Sequence, residues 1–405
     1  MKKHLPSGWK EFALKDIGNF LRGSGISKKD LSDTGIPAIR YGDIYTKYDF
    51  VIKNVSSFTN SKGTELKKGD ILFAGSGETA EEIGKSVAFI DDYKAFAGGD
   101  IIIFRPNIDL NSLFLSYILN SGKCRKDISI MGQGHTVVHI YASSLEILKV
   151  ILPPLDEQKR IAEVLSLCDK LIENLTKLIE KKEIYKKGVM QRVLSGEVRF
   201  NGFTDEWKEY KLENIGMSYG GLTNKNASDF TDKCNAKYIT YKSIYDCNKI
   251  DIKRLEDVYI EEDERQNLVQ YGDAFFTISS ETPDEVAISS VLLDEAENTY
   301  LNSFCFGFRF DFNILVPEFA RYYFRSNYVR KYTYKLAQGS TRFNLSKNKF
   351  LEMIVKLPSI EEQKKIAELL TLIDQDIDNL KRLLHLRKLQ KKGVMQKLLT
   401  GEVRI

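Results

Sequence analysis

The chain has 405 residues, and its 42% hydrophobic and 29% charged residues are typical of a globular protein with room for two or more domain cores. Lys and Arg outnumber Asp and Glu by only 60 to 56, which excludes a polycation, so contact with nucleic acid would need a local patch. Because no stretch approaches about 20 apolar residues and "MKKHLPSGWKEF" has no apolar signal-peptide core, we expect a cytoplasmic protein.

Residues 1–150 predict a mixed α/β domain, because aromatic and β-branched residues are punctuated by Gly and Asp, as in "KKGDILFAG". Two glycine motifs here are near matches to cofactor loops. "FAGSG" (73–77) has the glycines of an S-adenosylmethionine loop, but the chain lacks the [ND]PP[YF] loop that holds a flipped adenine. "TAEEIGKS" (79–86) has Thr79 where a phosphate-binding loop needs glycine. We interpret both as ordinary turns.

Residues 151–200 predict one long helix. "LPPLDEQKRIAEVL" begins with proline and acidic residues, which is a helix-start signal, and apolar residues then recur at steps of three and four. This spacing indicates a coiled-coil seam. The residues expected on it are Ile161, Leu165, Cys168, Ile172, Leu175 and Ile179.

Residues 201–356 repeat the pattern of the first domain. "GWKEFALKDIG" (8–18) corresponds to "EWKEYKLENIG" (206–216), and "GQGHTVVHI" (132–140) corresponds to "AQGSTRFNL" (337–345). "GETAEEIGKS" (77–86) corresponds in the same way to "SETPDEVAIS" (280–289). We therefore expect a second mixed α/β domain with a twisted sheet.

Residues 357–405 repeat the long helix. They align without a gap to residues 152–200, with 26 of 49 positions identical, and "KKGVMQRVLSGEVRF" is answered by "KKGVMQKLLTGEVRI". Ser359 and Glu362 have the spacing of a capping box at the helix start. The second seam is expected at Ile366, Leu370, Ile373, Ile377, Leu380 and Leu384.

Two matching helices in one chain favour an intramolecular pair over two separate core helices or a homodimer zipper. We predict an α+β chain with pseudo-two-fold internal symmetry, in which two mixed α/β domains are separated and spaced by an antiparallel coiled coil. The predicted segments are a first domain at 1–150, a first helical spacer at 151–200, a second domain at 201–356 and a second helical spacer at 357–405.

This alternation of variable domains and repeated helices resembles the specificity subunit of type I restriction–modification enzymes. The resemblance covers all 405 residues and rests on "LPPLDEQKRIAEVL", "KKGVMQRVLSGEVRF", their second copies and "WKEFALKDIG". It implies two target recognition domains, each of which reads one half of a split, asymmetric site in double-stranded DNA. The helices would space the domains and dock two modification (methyltransferase) subunits.

The same resemblance implies a chain without a catalytic site or cofactor of its own. S-adenosylmethionine would belong to the modification subunits, which methylate adenine, and ATP and Mg to the restriction (motor-nuclease) subunits that complete the endonuclease. A stand-alone DNA adenine methyltransferase and a coiled-coil adaptor that binds no DNA remain alternatives. Methyl transfer by the isolated chain would favour the first alternative.

Candidate DNA-binding residues are polar and basic side chains in glycine-punctuated loops, which could donate to bases or phosphates. In the first domain they are Arg22, Ser24, Lys28, Arg40, Tyr41, Ser76, Lys85, Gln133, His135 and Thr136. In the second domain they are Lys225, Asn226, Tyr241, Lys242, Ser279, Thr282, Gln338, Ser340, Thr341 and Arg342. The "QGHT" and "QGST" loops recur directly before the helices, which suits a phosphate clamp.

No metal site or disulfide framework is expected. His135 and His139 are four residues apart, but "HTVVHI" is β-branched rather than helical and offers no third ligand. The cysteines are odd in number and form no CxxC pair; they are Cys124, Cys168, Cys234, Cys247 and Cys305.

Overall fold

The structure is a computed structural model of the chain and describes residues 5–231, 234–339 and 341–405. Its helices are α1 (Leu14–Ile17), α2 (Tyr41–Thr46), α3 (Ser112–Leu119), α4 (Gly122–Met131), α5 (Ala142–Glu146), α6 (Leu155–Val193), α7 (Leu212–Ile215), α8 (Tyr241–Asp246), α9 (Pro317–Tyr323), α10 (Asn327–Leu336), α11 (Lys347–Leu351) and α12 (Ile360–Leu399). Short 3-10 helices lie at Lys28–Asp30, Ala227–Phe230, Ile252–Arg254 and Pro283–Glu285.

The strands before α6 are β1 (Lys10–Ala13), β2 (Gly18–Arg22), β3 (Leu31–Ser32), β4 (Ile36–Ile39), β5 (Phe58–Thr59), β6 (Thr64–Glu65), β7 (Ile71–Ala74), β8 (Ser76–Gly77), β9 (Ser86–Ala88), β10 (Phe96–Ala97), β11 (Ile101–Pro106), β12 (Val138–His139) and β13 (Lys149–Leu152). Those after α6 are β14 (Lys208–Lys211), β15 (Gly216–Gly220), β16 (Ala236–Ile239), β17 (Glu256–Val258), β18 (Ala274–Thr277), β19 (Ser279–Ser280), β20 (Ser289–Val291), β21 (Thr299–Leu301), β22 (Cys305–Phe310), β23 (Phe343–Asn344) and β24 (Ile354–Leu357).

Two compact units divide the chain. Unit 1 consists of Met1–Thr176 and Leu383–Ile405, and unit 2 consists of Lys177–Arg382. Each long helix therefore contributes one end to each unit. The four segment boundaries expected from the sequence stay predictions.

Unit 1 is built on an antiparallel sheet in the order β2-β11-β7-β9 and a second sheet in the order β3-β5-β4-β10-β6. Apolar residues on both faces of β7 and β11 are buried. Those on one face, such as Phe73 and Phe104, pack with Phe114 and Tyr117 of α3, and those on the other face form a separate cluster. The pairing of β1 with β13 places Lys10 opposite Leu152, so the repeated "WKEF" start is tied to the strand that leads into α6.

Unit 2 repeats this arrangement with its own sheets, β15-β22-β18-β20 and β17-β16-β21. Its core holds a cluster of rings, in which Phe276 contacts Phe306, Phe324 and Phe350. The pairing of β14 with β24 places Lys208 opposite Leu357, directly before α12. The second "WKEY" start therefore has the same structural role as the first.

The predicted seam residues are all buried or half-buried. Buried members are Ile161, Leu165, Leu175, Ile179, Ile366, Leu370 and Ile377, and half-buried members are Cys168, Ile172, Ile373, Leu380 and Leu384. Those nearest the helix starts also join the domain cores. Ile161 and Leu165 pack in the cluster that contains Phe114, and Ile366 packs in the cluster that contains Phe319.

The two long helices contact each other in both units, and in each unit they run antiparallel. In unit 1, Lys391 pairs with Asp169, and Arg404 pairs with Glu157 at 2.8 Å. The later residue of the first helical segment, Asp169, thus pairs with the earlier residue of the second, Lys391, as antiparallel helices require.

In unit 2, Lys182 pairs with Asp376 at 2.6 Å, and Lys186 pairs with Asp374. These pairs show the same antiparallel direction. Ser359 Oγ accepts a hydrogen bond from Glu362 N at 3.3 Å, so the predicted helix start is correct. The Glu362 carboxylate binds Arg199 instead of closing the capping box.

Candidate nucleic-acid interface

A tight hairpin carries the "QGHT" loop in unit 1. Gln133 and His139 exchange backbone hydrogen bonds of 2.9 and 2.8 Å, and β12 pairs with β8 next to them. Gly134 has φ of +122°, and an added Cβ would overlap the carbonyl oxygen of Val137, so only glycine fits this turn. The fold therefore exposes Gln133, His135 and Thr136 at the hairpin tip.

Unit 2 builds the same hairpin from "QGST". Gln338 and Asn344 exchange backbone hydrogen bonds of 3.0 and 2.8 Å, and β23 pairs with β19. Gly339 has φ of +142°, and its Cβ position is blocked by the carbonyl oxygen of Arg342. Gln338, Thr341 and Arg342 are exposed, and the predicted candidate Ser340 lies outside the described residues.

A cleft of about 610 Å³ lies beside the hairpin in unit 1. It brings together two predicted residues, Arg22 and Ser76, with His139 and Tyr141. Ser76 is buried, and its hydroxyl lies 2.9 Å from His139 Nδ1. Arg22 and Tyr141 are exposed in the cleft, and Leu21, Asp100, His139 and Ser143 are exposed with them.

The cleft of about 570 Å³ in unit 2 brings together four predicted residues. They are Tyr241, Lys242, Ser279 and Arg342, and Phe304, which is 59% exposed, lies with them. The two cations can donate hydrogen bonds to DNA, and the exposed Phe304 ring can pack against a base or sugar. This cleft is the best assembled candidate surface in the described chain.

Carboxylates also line the unit 2 cleft, but several are already bound. Glu285 accepts hydrogen bonds from Tyr245 at 2.6 Å and Ser280 at 2.9 Å, and these bonds lower the pKa of its carboxyl group. Asp246 pairs with Arg254 at 2.6 Å. Burial raises the pKa of the Tyr241 hydroxyl, which donates to the Ser279 carbonyl at 2.8 Å, so Tyr241 remains neutral at ordinary pH.

Three of the predicted cations point into the protein. Lys85 Nζ donates to the Tyr48 carbonyl at 2.6 Å, and burial lowers the pKa of this lysine. The side chain of Lys225 is buried against Glu264. Arg40 reaches Asp43 at 3.5 Å. Each has an internal partner that a DNA contact would have to displace.

The remaining candidates lie in turns or near helix starts. Ser24 Oγ lies 3.0 Å from Thr64 Oγ1, Asn226 Oδ1 accepts from Ser228 N at 2.9 Å, and Thr282 N donates to Ser280 Oγ at 3.5 Å. Lys28 and Tyr41 are exposed. None of these five lines either cleft described above.

The sequence analysis missed two exposed aromatic side chains of the clefts, Tyr141 and Phe304. Tyr141 is 52% exposed at the first residue after the hairpin, and Phe304 directly precedes β22. An aromatic residue next to a glycine-rich loop could have indicated Tyr141. The sequence around Phe304 has the pattern of a buried strand, so it gave no such indication.

Within the part of the chain that the structure describes, no group of three or more His, Cys, Asp or Glu side chains could hold a metal ion. The cysteines predicted to be unpaired are free: Cys124, Cys168, Cys234, Cys247 and Cys305. No helix in the described ranges is long and apolar enough to cross a membrane.

The comparison with known families decides the class of protein. The family described as "Type I restriction modification DNA specificity domain" matches residues 6–183 and again residues 204–386. The chain belongs to this family. Each match covers one α/β domain and much of the helix that follows it, which agrees with the internal repeat.

Curated relatives include specificity subunits from Methanocaldococcus jannaschii and Escherichia coli. The type I restriction enzyme MjaVIII specificity subunit of Methanocaldococcus jannaschii is 25% identical over 418 residues, which covers 99% of this chain and 94% of the relative. The EcoKI specificity subunit of Escherichia coli K12 is 28% identical over 222 residues, which covers 51% of this chain and 46% of the relative.

Solved structures show the same fold. The type I S subunit from M. genitalium aligns with a TM-score of 0.58 at 17% identity and covers 98% of both chains. The HsdS subunit from Thermoanaerobacter tengcongensis aligns with a TM-score of 0.51 at 16% identity and covers 99% of both. The prediction of two repeated mixed α/β domains is confirmed. The chain is a non-catalytic DNA-recognition subunit, as the sequence predicted.

Proposed function

We propose that each α/β domain of this specificity subunit reads one half of a bipartite, asymmetric DNA site. The observation that supports this most is the repeated hairpin, which has the same backbone in both units and different exposed side chains. In the alignment of the two tips Thr136 corresponds to Thr341, whereas His135 and Val137 of unit 1 correspond to Ser340 and Arg342 of unit 2. A hairpin backbone that is shared by both domains and carries different side chains suits two domains that recognise different bases.

Exchange of residues 1–150 for another recognition domain tests this proposal. We expect only one half of the methylated site to change when the assembled modification complex is profiled across a genome. The half read by residues 201–356 should stay the same. If both halves changed together, the two domains would not read independently.

The long helices are proposed to form an antiparallel coiled coil that sets the gap between the half-sites. The unit boundaries fall within both helices, at Thr176 in α6 and at Arg382 in α12. A four-residue insertion at both places would keep the helix contacts inside each unit and add about 6 Å of helix. Because base pairs rise about 3.4 Å, the gap should widen by one pair, at most two. An active complex with an unchanged gap would exclude this role.

We further propose that the helices dock two modification subunits, which supply S-adenosylmethionine, and that restriction subunits supply the ATP- and Mg-dependent steps. Exposed apolar side chains on the helices support a docking role, because a stripe of them, unlike a single one, marks an interaction surface. On α6 they are Leu167, Leu171, Leu178 and Ile184, and on α12 they are Leu372, Leu383, Leu386 and Leu389.

Co-purification with a modification subunit tests the docking proposal. We expect Leu171→Asp to reduce recovery of the complex, because a carboxylate would be buried against an apolar partner surface. Lys181→Asp is the matched control on an exposed position of the same helix, and it should leave recovery unchanged. Equal recovery of both variants would show that Leu171 lies outside the interface.

A further inference from the structure

The short helix α2 in unit 1 has a cation at its carboxyl end. Lys85 Nζ donates to the carbonyl oxygens of Tyr48 at 2.6 Å and Tyr45 at 3.5 Å. Tyr45 lies in the last turn of α2 and Tyr48 lies two residues beyond the helix. Carbonyl groups in the last turn of a helix lack partners within the helix and carry partial negative charge, so a cation there is stabilising. The lysine therefore holds the end of α2 in place.

The corresponding helix α8 in unit 2 also has a cation at its carboxyl end. Arg325 Nη2 donates to Ile244 O at 2.7 Å, Tyr245 O at 3.1 Å and Cys247 O at 2.7 Å. Its Nε donates to Ser289 O at 2.6 Å, which ties the helix end to β20. Burial lowers the pKa of Arg325 to about 10, and the guanidinium stays charged at neutral pH.

The two cations come from different places in the repeat. The position of Lys85 in "GETAEEIGKS" corresponds to Ile288 in "SETPDEVAIS". The position of Arg325 in "FARYYFRS" (319–326) corresponds to Asn120 in "FLSYILNS" (114–121). The two units therefore supply a cation to the end of the short helix from different positions of the repeat.

The capped helices touch the strands that carry the recognition hairpins. In unit 1 the Tyr45 hydroxyl donates to Ser76 O on β8 at 3.0 Å, and in unit 2 the Tyr241 hydroxyl donates to Ser279 O on β19. Residues Tyr241 and Lys242 of α8 also form one wall of the unit 2 cleft. A shift of the helix end would therefore move side chains of the candidate DNA surface.

We propose that Lys85 and Arg325 are positioning residues for sequence discrimination, each of which fixes the short helix beside its own recognition hairpin. Neither touches a base; each acts through α2 or α8. This inference rests on the proposed function, because it assigns one cation to each half-site. Loss of one cation should relax the reading of one half-site and leave the other intact.

The test compares Lys85→Met and Arg325→Met in the complex assembled with modification subunits. The measurement is the ratio of binding to the cognate site over binding to sites with one mismatch in either half. For each variant we expect this ratio to fall about five- to tenfold for mismatches in one half of the site only. Lys85→Met should affect the half read by unit 1, and Arg325→Met the half read by unit 2. Both variants should retain non-specific DNA binding. Lys85→Arg and Arg325→Lys should restore it, and Lys68→Met, on an exposed loop, should not change it.

An unchanged ratio in both methionine variants, or equal relaxation of both halves, would overturn the inference. If the methionine variants fail to assemble, Lys85→Gln and Arg325→Gln keep a hydrogen-bond donor without the charge. A full ratio in the glutamine variants would equally overturn it, and a partial loss confined to one half would support it. A wild-type complex that shows no two-part site would refute the proposed function rather than the role of these cations.

Discussion

A buried ion pair should hold the end of the first helical segment against the start of α12 in unit 2. Arg199 Nε and Nη2 donate to Glu362 Oε1 and Oε2 at 2.9 and 2.7 Å. The Glu362 side chain is 1% exposed and the Arg199 side chain 23%. Replacement by Arg199→Met would leave a buried carboxylate without its partner.

Removal of one partner from a fully buried pair costs about 3–5 kcal/mol, and partial solvent access at Arg199 reduces this to about 2 kcal/mol. For a unit of this size, such a loss lowers the melting temperature by about 4–8 °C. Calorimetry of Arg199→Met, Glu362→Gln and the double variant measures the coupling, which we expect to be at least about 1 kcal/mol. Strictly additive single effects would refute this reasoning. Arg192→Met, which breaks an exposed pair with Glu197, is the control and should not shift melting.

Further predictions concern glycines and acid stability. Gly188→Ala and Gly393→Ala should each stabilise the chain by about 0.5–1 kcal/mol in thermal melts, because both lie in helices with open space at Cβ. Gly134→Ala should weaken DNA binding in a gel shift about tenfold, because its φ of +122° is strained for alanine. The hydrogen bond from Arg404 lowers the pKa of Glu157, so stability from this pair is complete above pH 4.5 and is lost as pH falls through the lowered pKa. Acid titration of Arg404→Met should show less of this loss.

The sequence predicted the long helices well because their signals are local. A proline-acidic start and apolar steps of three and four can be recognised without knowledge of the rest of the chain. The helices run from Leu155 to Val193 and from Ile360 to Leu399, within the predicted segments. The glycine hairpins were also visible, because "QG" recurs at the same distance before each helix.

Side-chain direction could not be predicted in the same way. Lys85 and Lys225 lie in loops whose composition suits DNA binding, but their partners are the Tyr48 carbonyl, 37 residues away, and Glu264, 39 residues away. Such contacts depend on how the sheets bring distant loops together. Polarity and local turns gave the positions of the loops, and only tertiary structure distinguishes an inward cation from an exposed one.

The repetition of the "KKGVMQ" motif is explained largely by contacts inside the chain. The first lysine of each "KKGVMQ", Lys391 or Lys186, binds an aspartate of the other long helix. The second oxygen of that aspartate accepts a hydrogen bond from a domain tyrosine, Tyr117 to Asp169 at 2.6 Å.

In unit 2 the same bond joins Tyr322 to Asp374 at 2.7 Å. A change of either aspartate would therefore remove the ion-pair partner of a lysine and the acceptor of a tyrosine hydroxyl at once, which makes the helix motif costly to alter. In this contact each domain contributes only the tyrosine that donates to the aspartate of the long helix. The exposed hairpin tips contribute nothing to these contacts, so they are free to differ while the helix residues that make the contacts stay the same.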